Sequence, residues 1–492
     1  MAIRLDQYNN QLVVSDTVTA NAPLVLQPQG TGALQSQLTD STATGGNARG
    51  ANAVDFQTLR DTSIKVASGL ASVVAGGQAN YASSFWGVVS GGYNNANIAF
   101  GGALAGGYQN LTAGNYSVSS GGRFNTSGGS AFMVGSVSVG GISNSSLGTY
   151  NFIGGGFTNS GTSSSAVTTQ SATMNGTTAV TLAASNASIK VGQYISGTSI
   201  GDDTYVAAIS GTSLTLSKVA SGSSTSTLSF FTPHGIVVGG GNNTATGSYS
   251  FIGGGGDAGN AANRNVANGD WSFIGGGAQN NASGANSSVL GGANCSSTSA
   301  FSVCLGGAGN SSSGFGSTNL GGNGNVANGT YSVASGFSST NRSLSTFAYA
   351  AGTASRNGDA QTEIFVLRNS TTDATATVLT LGAGAASTNN QVIMPNNSAY
   401  FFTGEVVAGV TGGGDTKGWK IEGVIKRGAN AASTALVGTP TVTSMYADVG
   451  AATWTIALSA DTTNGGLAVT FTGQASTTIR VVAKISTTEM TY

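Results

Sequence analysis

A glycine, in most places one of a Gly-Gly pair, returns every fifteen residues along much of this chain. The regular positions are Gly76, Gly91, Gly106 and Gly121, and then Gly276, Gly291, Gly306, Gly321 and Gly336. Between these runs lie Gly141, Gly156, Gly240 and Gly255, and the two irregular steps indicate inserted loops of five and six residues. A fixed period of this kind is the signature of a repeat architecture.

The repeating unit reads approximately S-V-x-x-G-G-x-x-N-x-A-x-G-x-x, as in "SVVAGGQANYASSFW". Its β-branched residues precede the glycine pair, which suits a short strand that enters a turn. Glycine adopts positive φ without steric cost, and asparagine tolerates the left-handed region and bonds nearby backbone groups. The unit therefore predicts one turn of a coil, with successive turns pairing as parallel strands about 4.8 Å apart. We expect this coil over residues 68–162 and 235–344.

A coil with so few residues per turn is narrow, and it buries little apolar surface on its own. Stacking of the turns must offset the conformational entropy of the chain. Side-by-side packing of identical coils would add the missing burial. We therefore expect the chain to associate with itself as a homotrimer.

The composition argues against several broad classes of protein. Charged residues make up 7% of the chain, the net charge is −1, and Lys and Arg do not cluster. Because nucleic-acid binding needs a basic surface, we expect none. No run of about 18 apolar residues occurs, so we expect no membrane insertion. With 39% hydrophobic residues, the chain is also too apolar for plain disorder.

Three segments depart from the repeat. Residues 1–67 contain strand-like runs and then "NARGANAVDFQTLR", in which Val54, Phe56 and Leu59 fit the spacing of a short apolar helix. Residues 163–234 contain five short strand-like runs with Gly and Ser turns, which predicts a small inserted β-domain. Residues 345–492 alternate polar and apolar side chains and include the hairpin signal Asn464-Gly465, which predicts an antiparallel β-sandwich.

The repeat unit resembles the head repeats of trimeric autotransporter adhesins, which implies a left-handed parallel β-roll. We expect no signal peptide, coiled-coil stalk or membrane barrel, which bacterial adhesins of that kind need, whereas similar repeats occur in bacteriophage tail fibres. The segments "QTEIFVLRNSTT", "WKIEGVIKR" and "WTIALSADTTNGGLAVTFTG" closely resemble the C-terminal domain of many phage tail-fibre proteins. The insertion is similar to a decoration module of phage structural proteins. Together the resemblances imply an all-β trimeric fibre of the virion tail, assembled in the host cytoplasm.

The resemblance implies an adhesive function. Residues 1–67 would bind a tail or baseplate protein of the virion, with Val54, Phe56 and Leu59 as candidate contacts. The C-terminal domain would face the host cell and bind its surface polysaccharide. Sugar rings stack on exposed aromatic side chains, although core packing is the alternative role for each such residue. The candidate receptor contacts are Trp86, Tyr93, Trp419, Tyr446 and Trp454.

Metal and cofactor chemistry has little support in the sequence. The one histidine, His234, has no Cys, Asp or Glu at ligand spacing, so a structural role is the ordinary interpretation. The chain has two cysteines, Cys295 and Cys304, which are too few for a disulfide framework. We interpret them as small buried thiols. We expect no metal, no cofactor and no catalytic residue.

Paired carboxylates could still cleave a glycan, as they do in some phage spikes. Asp257 and Asp270 in the repeats, and Asp202 and Asp203 in the insertion, are the acidic residues available, and turn capping is their ordinary role. We expect the acidic residues of the C-terminal domain, including Glu363, to lie on the surface and form salt bridges there. Two alternatives to an adhesive fibre stay open: a glycan-degrading tailspike enzyme and a purely structural virion decoration.

Overall fold

The computed structural model describes residues 2–6, 11–15, 26, 28 and 30–492, except 130–133, 164, 202–203, 233 and 383. In this part of the chain nearly all regular structure is β, and the helices are three short 3-10 turns at Ala261–Asn263, Ala431–Ser433 and Val449–Ala451. No helix among the described residues has the length and apolar character needed to cross a membrane. The chain forms a long parallel β-solenoid, a small β-domain inserted into it, and two antiparallel sheets at the C-terminus. Near the N-terminus, Ala2–Asp6 pairs antiparallel with Gln11–Ser15.

Each solenoid turn adds a short strand to one or both of two parallel sheets. The predicted period is confirmed by the register, because Val73 pairs with Val88 and Val88 pairs with Ala103. The first sheet contains Leu34–Gln35, Val54–Asp55, Val73–Val74, Val88–Val89, Ala103–Leu104, Val118–Ser119, Val137–Ser138, Phe152–Ile153, Ile236–Val237, Phe251–Ile252, Phe273–Ile274, Ser288–Val289, Val303–Cys304, Thr318–Asn319, Val333–Phe337 and Phe347–Ala351. The second sheet contains Tyr81–Ala82, Ala96–Asn97, Leu111–Thr112, Thr126–Ser127, Ser145–Ser146, Thr244–Ala245, Val266–Ala267, Asn281–Ala282, Ser296–Ser297, Ser311–Ser312, Val326–Ala327 and Thr340–Asn341.

The two turns that we expected to be longer than fifteen residues are longer, but not by the predicted amounts. Val118 pairs with Val137 and Phe251 pairs with Phe273, so these turns contain 19 and 22 residues. Their loops therefore add four and seven residues, where we expected five and six. The difference arises because glycine runs such as 253–256 hold several glycines, and only strand register identifies the equivalent one.

The solenoid begins well before residue 68, and the helix predicted around Val54 is wrong. Val54–Asp55 is a strand that pairs with Leu34–Gln35 on one side and with Val73–Val74 on the other. Leu59 forms a further parallel bridge to Gln78. Hydrogen bonds from both neighbouring turns are available to this segment only when it is extended, and they outweigh its weak helical spacing.

An asparagine ladder fills one corner of the solenoid interior. The side chain of Asn95 donates to the Gly91 and Gly107 carbonyls at 3.0 Å each, and its Oδ1 accepts from the Asn110 backbone N–H at 3.0 Å. Each such residue thus bonds its own turn and the next one. The ladder consists of Asn80, Asn95, Asn110, Asn125, Asn144, Asn159, Asn243, Asn265, Asn280, Asn310 and Asn325.

Glutamine side chains close the two ends of the solenoid. At the first turns, Gln57 accepts from the Asn80 backbone N–H and donates to the Asn80 carbonyl, both at 2.8 Å. At the last turns, Gln361 accepts from the Thr340 N–H at 2.8 Å and donates to the Thr340 carbonyl at 2.9 Å. A carboxamide therefore satisfies the backbone groups that a further strand would otherwise bond.

The inserted domain leaves and rejoins the solenoid without disturbing its register, because Phe152 pairs directly with Ile236. Its sheet has six antiparallel strands with a buried core that includes Leu214 and Phe230. Five strands fall in the predicted runs, and Thr168–Asn175 is additional. In sheet order the strands are Tyr194–Ser196, Ser223–Phe231, Thr168–Asn175, Ala179–Leu182, Ser213–Leu216 and Val206–Ser210.

The C-terminal region consists of two antiparallel sheets that share one core, and the predicted hairpin at Asn464-Gly465 joins Thr455–Asp461 to Gly466–Thr472. The larger sheet continues directly from the last solenoid strand, Phe347–Ala351. Its further strands, in order, are Ala360–Thr371, Ile479–Thr491, Ser398–Val410, Thr416–Arg427 and Thr441–Ala447, with Ala435–Leu436 also on Thr416–Arg427. The smaller sheet contains Thr377–Val378, Val392–Ile393, Gly466–Thr472 and Thr455–Asp461.

Candidate receptor-binding surfaces

The outer side of the first sheet is an apolar surface without charge, which we call the apolar face. Side chains at the first position of each strand point outward, and from Val54 to Phe347 none of these positions carries an ionisable residue. Large apolar residues, such as Leu290 at 50% exposure, meet solvent here. The exposed or half-exposed members include Val139, Phe152, Val238, Phe273, Leu290, Leu305, Leu320 and Phe347. Contiguous exposed apolar surface of this extent is unusual for a monomer.

Exposed rings line a corner beside the apolar face, two or three residues before many strands of the first sheet. Trp86 lies here in the left-handed backbone region with φ 57° and is 55% exposed. Its ring contacts Phe100 at a centroid distance of 5.0 Å, and Phe100 contacts Tyr116 at 5.5 Å. Left-handed geometry costs a non-glycine residue about 1–2 kcal/mol, and an aromatic pair contributes about 0.5–1.5 kcal/mol. Ring contacts between turns therefore offset much of the backbone strain at this corner.

A second set of rings lies on the third side of the solenoid, and we call it the tyrosine ladder. Tyr93 stacks on Tyr108 with centroids 5.2 Å apart and planes inclined by 17°. The Arg123 guanidinium lies 5.1 Å from the Tyr108 ring centre and 4.5 Å from that of Phe124. Because Tyr108 is on the turn between Tyr93 and Arg123, protein groups occupy both faces of its ring. The ladder consequently offers ring edges, hydroxyls and one cation to a ligand.

The inserted domain covers the middle of the ring-lined corner. His234 stacks between Tyr150 and Tyr249, with centroids 5.2 and 4.6 Å away, and burial lowers the pKa of this histidine. From the inserted domain, the Tyr205 hydroxyl meets the Tyr150 hydroxyl at 2.6 Å. This geometry agrees with a structural role for His234. It also leaves the rings on either side of the insertion, around Trp86 and around Tyr331, open to solvent.

Two of the predicted receptor contacts are core residues. Trp419 is 4% exposed and Trp454 is fully buried, and each packs edge-on against Phe471 with centroids 6.1 Å apart. The side chains of Trp419 and Ile421 both point into the core from one strand, and Trp454 is enclosed by the same core. Neither tryptophan can touch a receptor, so the prediction that they are receptor contacts is wrong. Tyr446 differs, since it is 83% exposed on Thr441–Ala447, an outer strand in which every residue is exposed.

The predicted virion contacts lie on the first solenoid turns. Leu59 is 60% exposed and Phe56 is also exposed, whereas Val54 is half-buried. Beneath them, Asp55 is fully buried and bonds Arg49 at 2.9 Å and Arg60 at 3.1 Å. This ion cluster, which the sequence analysis did not identify, anchors the turn that carries the two exposed apolar side chains.

The two solenoid aspartates do not face each other as a catalytic pair. Half-buried Asp257 accepts hydrogen bonds from the Asn263 side chain at 2.9 Å and the Gly259 N–H at 2.8 Å, and these bonds lower the pKa of its carboxyl. Asp270 forms an ion pair with Lys190 of the inserted domain. Each aspartate thus has its own partners at a different corner. Asp202 and Asp203 lie outside the described residues.

A buried carboxylate pair was missed at the joint between the solenoid and the C-terminal sheets. Glu363 and Glu489 are 2% and 3% exposed, so the interpretation of Glu363 as surface is wrong. Glu489 accepts from the Gln361 side chain at 2.8 Å and from the Thr487 hydroxyl at 2.6 Å. Burial, with repulsion from Glu489, raises the pKa of Glu363 to about 8. Strand alternation, which puts Glu363 on the same side as Phe365, was the available signal.

Comparison with known proteins gives weak structural similarities only. No protein-family profile matches the chain, and no curated protein matches it. One similar solved structure is the tailspike protein gp49 from Acinetobacter baumannii bacteriophage Fri1, a capsular polysaccharide depolymerase, at 7% identity and a TM-score of 0.19, covering 88% of this chain and 66% of that one. Another is the Acinetobacter baumannii phage AM24 tailspike protein, at 8% identity and a TM-score of 0.16, covering 85% and 63%. The chain thus spans about two thirds of their length, and similarity this weak defines no function.

Proposed function

We propose that this chain is a homotrimeric bacteriophage tail fibre that attaches to the virion tail by its N-terminal segment and recognises a glycan on the host cell. The coil would be left-handed, like the adhesin head repeats that its sequence resembles. The observation that best supports this function is a long solenoid that carries exposed rings on some sides and an uncharged apolar face on another. Such a column suits adhesion at a distance from the virion.

The apolar face supports self-association. In a parallel trimer each outward side chain lies near its own copies across the threefold axis, so a charge there would repel itself. The outward positions of the first sheet carry no charged side chain from Val54 to Phe347. With turns spaced by about 4.8 Å, this uncharged stretch is about 70 Å long. With a width of about 10 Å, the face covers roughly 700 Å², close to the ~800 Å² that each partner contributes to a stable interface.

The tyrosine ladder supports glycan recognition because it lies on a different side from the apolar face. Tyr93 and Tyr108 present amphipathic edges, and Arg123 adds a donor for sugar hydroxyls or acidic groups. Trp86 adds a further exposed ring at the corner beside the apolar face. Three copies of a weak site on one column would bind a repetitive polysaccharide with high avidity. Tyr446 would be a contact on the C-terminal sheets.

At the other end, Phe56 and Leu59 would contact a tail or baseplate protein. Both are exposed on the first turns, above the buried Asp55 cluster that anchors them. An apolar pair on a firmly held turn suits a permanent protein contact. The fibre would be assembled in the host cytoplasm and function on the virion.

The test is adsorption of the full chain to host bacteria, with purified envelope polysaccharide as competitor. We expect saturable binding that the polysaccharide abolishes, and at least tenfold weaker binding for Tyr93→Ala. Tyr331→Ala, which removes an exposed ring from the ring-lined corner and leaves the tyrosine ladder intact, is the matched control and should bind like the wild type. New reducing ends in the polysaccharide would instead indicate a glycan-degrading enzyme. Absence of binding to the host would favour a structural decoration.

A further inference from the structure

A groove of about 410 Å³ lies beside the seven-residue addition to the solenoid, on the half of the column remote from the tyrosine ladder. It spans several successive turns. Most of its lining is amide side chains, with Val266 and Ala262 as apolar elements and one guanidinium. The polar lining residues are Arg264, Asn268, Gln279, Asn280, Asn281 and Asn294.

The loop that forms one wall of this groove is held by hydrogen bonds. Asn263 donates to the Asp257 carboxylate at 2.9 Å, and its Oδ1 accepts from the Gln279 side chain at 2.9 Å. The Gln279 backbone N–H also donates to the Asn263 carbonyl at 3.0 Å. The Asn260 side chain caps the short 3-10 turn Ala261–Asn263. The wall is therefore ordered before any ligand arrives, which reduces the entropy cost of binding.

The groove has an uncompensated positive charge. Arg264 is exposed and forms no ion pair with any of the described residues. The acidic residue on the same loop, Asp257, directs its carboxylate to Asn263 and Gly259 and does not line the groove. A free guanidinium forms bidentate hydrogen bonds with a carboxylate, and amides both donate to and accept from hydroxyl groups.

We propose that this groove binds an acidic saccharide segment, with Arg264 on the sugar carboxylate and the amides of Asn268, Asn281 and Asn294 on its hydroxyls. The assignment rests on the proposed function, that the fibre binds a host glycan, and adds the chemical class of that glycan. It also gives the column two contacts, the tyrosine ladder and the groove, at separate points along one polymer.

The experiment titrates the full-length protein with a glucuronate-containing tetrasaccharide and with the same tetrasaccharide after reduction of its carboxyl groups. We expect the acidic form to bind at least tenfold more tightly, with the difference shrinking as salt is added. Arg264→Gln should remove this preference. Arg356→Gln, at an exposed arginine outside the groove, should keep it. Both variants should unfold like the wild type, since both side chains are exposed.

Equal binding of the acidic and neutral tetrasaccharides by the wild type would overturn the groove assignment. So would an unchanged preference in Arg264→Gln, or no binding of the acidic probe at millimolar concentration. None of these results bears on adsorption to whole host cells, because that assay supplies the native glycan. The proposed fibre function is therefore judged by a separate measurement.

Discussion

At the scale of single residues, the asparagine ladder specifies the solenoid more than apolar burial does. A ladder residue such as Asn110 is 1% exposed and bonds backbone groups of its own turn and of the next one. Buried amides that are fully satisfied rigidify a core, whereas an unsatisfied partner is costly. Cys295 occupies one ladder position, where its sulfur contacts the Gly306 and Gly307 carbonyls at 3.5 Å each.

Replacing a ladder residue should destabilise the solenoid strongly. Asn110→Ala removes bonds to the Gly106 carbonyl and the Asn125 N–H, which are 2.9 Å from the Asn110 side chain. We expect the free energy of unfolding to fall by about 2–4 kcal/mol, because buried backbone groups lose their partners. Urea unfolding followed by circular dichroism measures the change. Asn328→Ala, at an exposed asparagine with one weak bond, is the control, and equal stability of the two variants would contradict the ladder's role.

At the scale of elements, the ends of the solenoid determine how it joins the rest of the chain. Gln57 and Gln361 substitute for missing strands, and each is backed by buried ionisable groups. At the C-terminal joint those groups are Glu363 and Glu489, with Arg342 and the fully buried Tyr400 as charged and titratable neighbours. Two carboxylates facing one partly buried cation retain a proton at neutral pH.

The joint should lose stability as pH rises. The pKa of Glu363 is raised from an ordinary 4.5 to about 8, so between these values the folded chain holds a proton that the unfolded chain has released. The unfolding free energy therefore falls as pH increases from 4.5 to 8 and levels off beyond. Thermal unfolding should give a higher Tm at the acidic end of this window than at the alkaline end.

Variants separate this effect from other titrations. Glu363→Gln should flatten the decrease in Tm relative to the wild type. Glu405→Gln, at an exposed carboxylate 3.3 Å from Lys484, should preserve it. A wild-type decrease that Glu363→Gln leaves unchanged would show that the buried pair does not titrate in this window.

The sequence predicts those elements whose residues follow a local, periodic pattern. The fifteen-residue turns, five strands of the insertion and the hairpin at Asn464-Gly465 were all predicted, because glycine spacing and strand alternation are local. The caps formed by Gln57 and Gln361 were not predicted, because each carboxamide bonds a residue more than twenty positions away in the sequence. The burial of Trp419 was missed because aromatic composition was weighed without the inward register of its strand.

At the scale of the whole molecule, the apolar face is the feature that a single copy leaves unexplained. It runs beside the ring-lined corner along the entire first sheet and continues onto exposed Ile364 and Val366 of the C-terminal sheets. The polar second sheet has Ser296 and Ser311 at the equivalent outward positions. One side of the column is therefore suited to contact with other copies, and another side to contact with water.

A charge on the apolar face should dissociate the assembly. Phe251 stacks on Phe273 with centroids 5.3 Å apart at the centre of this face, and Phe251→Asp would bring three carboxylates together at the axis. We expect the variant to be monomeric by light scattering. Ser296→Asp, which adds the same charge to the second sheet, should leave the assembly intact. A Phe251→Asp variant with wild-type mass would show that the copies do not meet through this face.

The most direct test of the account is the mass of the unmodified chain in dilute solution, measured by sedimentation equilibrium across the micromolar range. Association through the apolar face predicts three times the 48.2 kDa of one chain, independent of concentration. A monodisperse and fully folded monomer under the same conditions would contradict it, because the apolar face would then be stable in water without a partner.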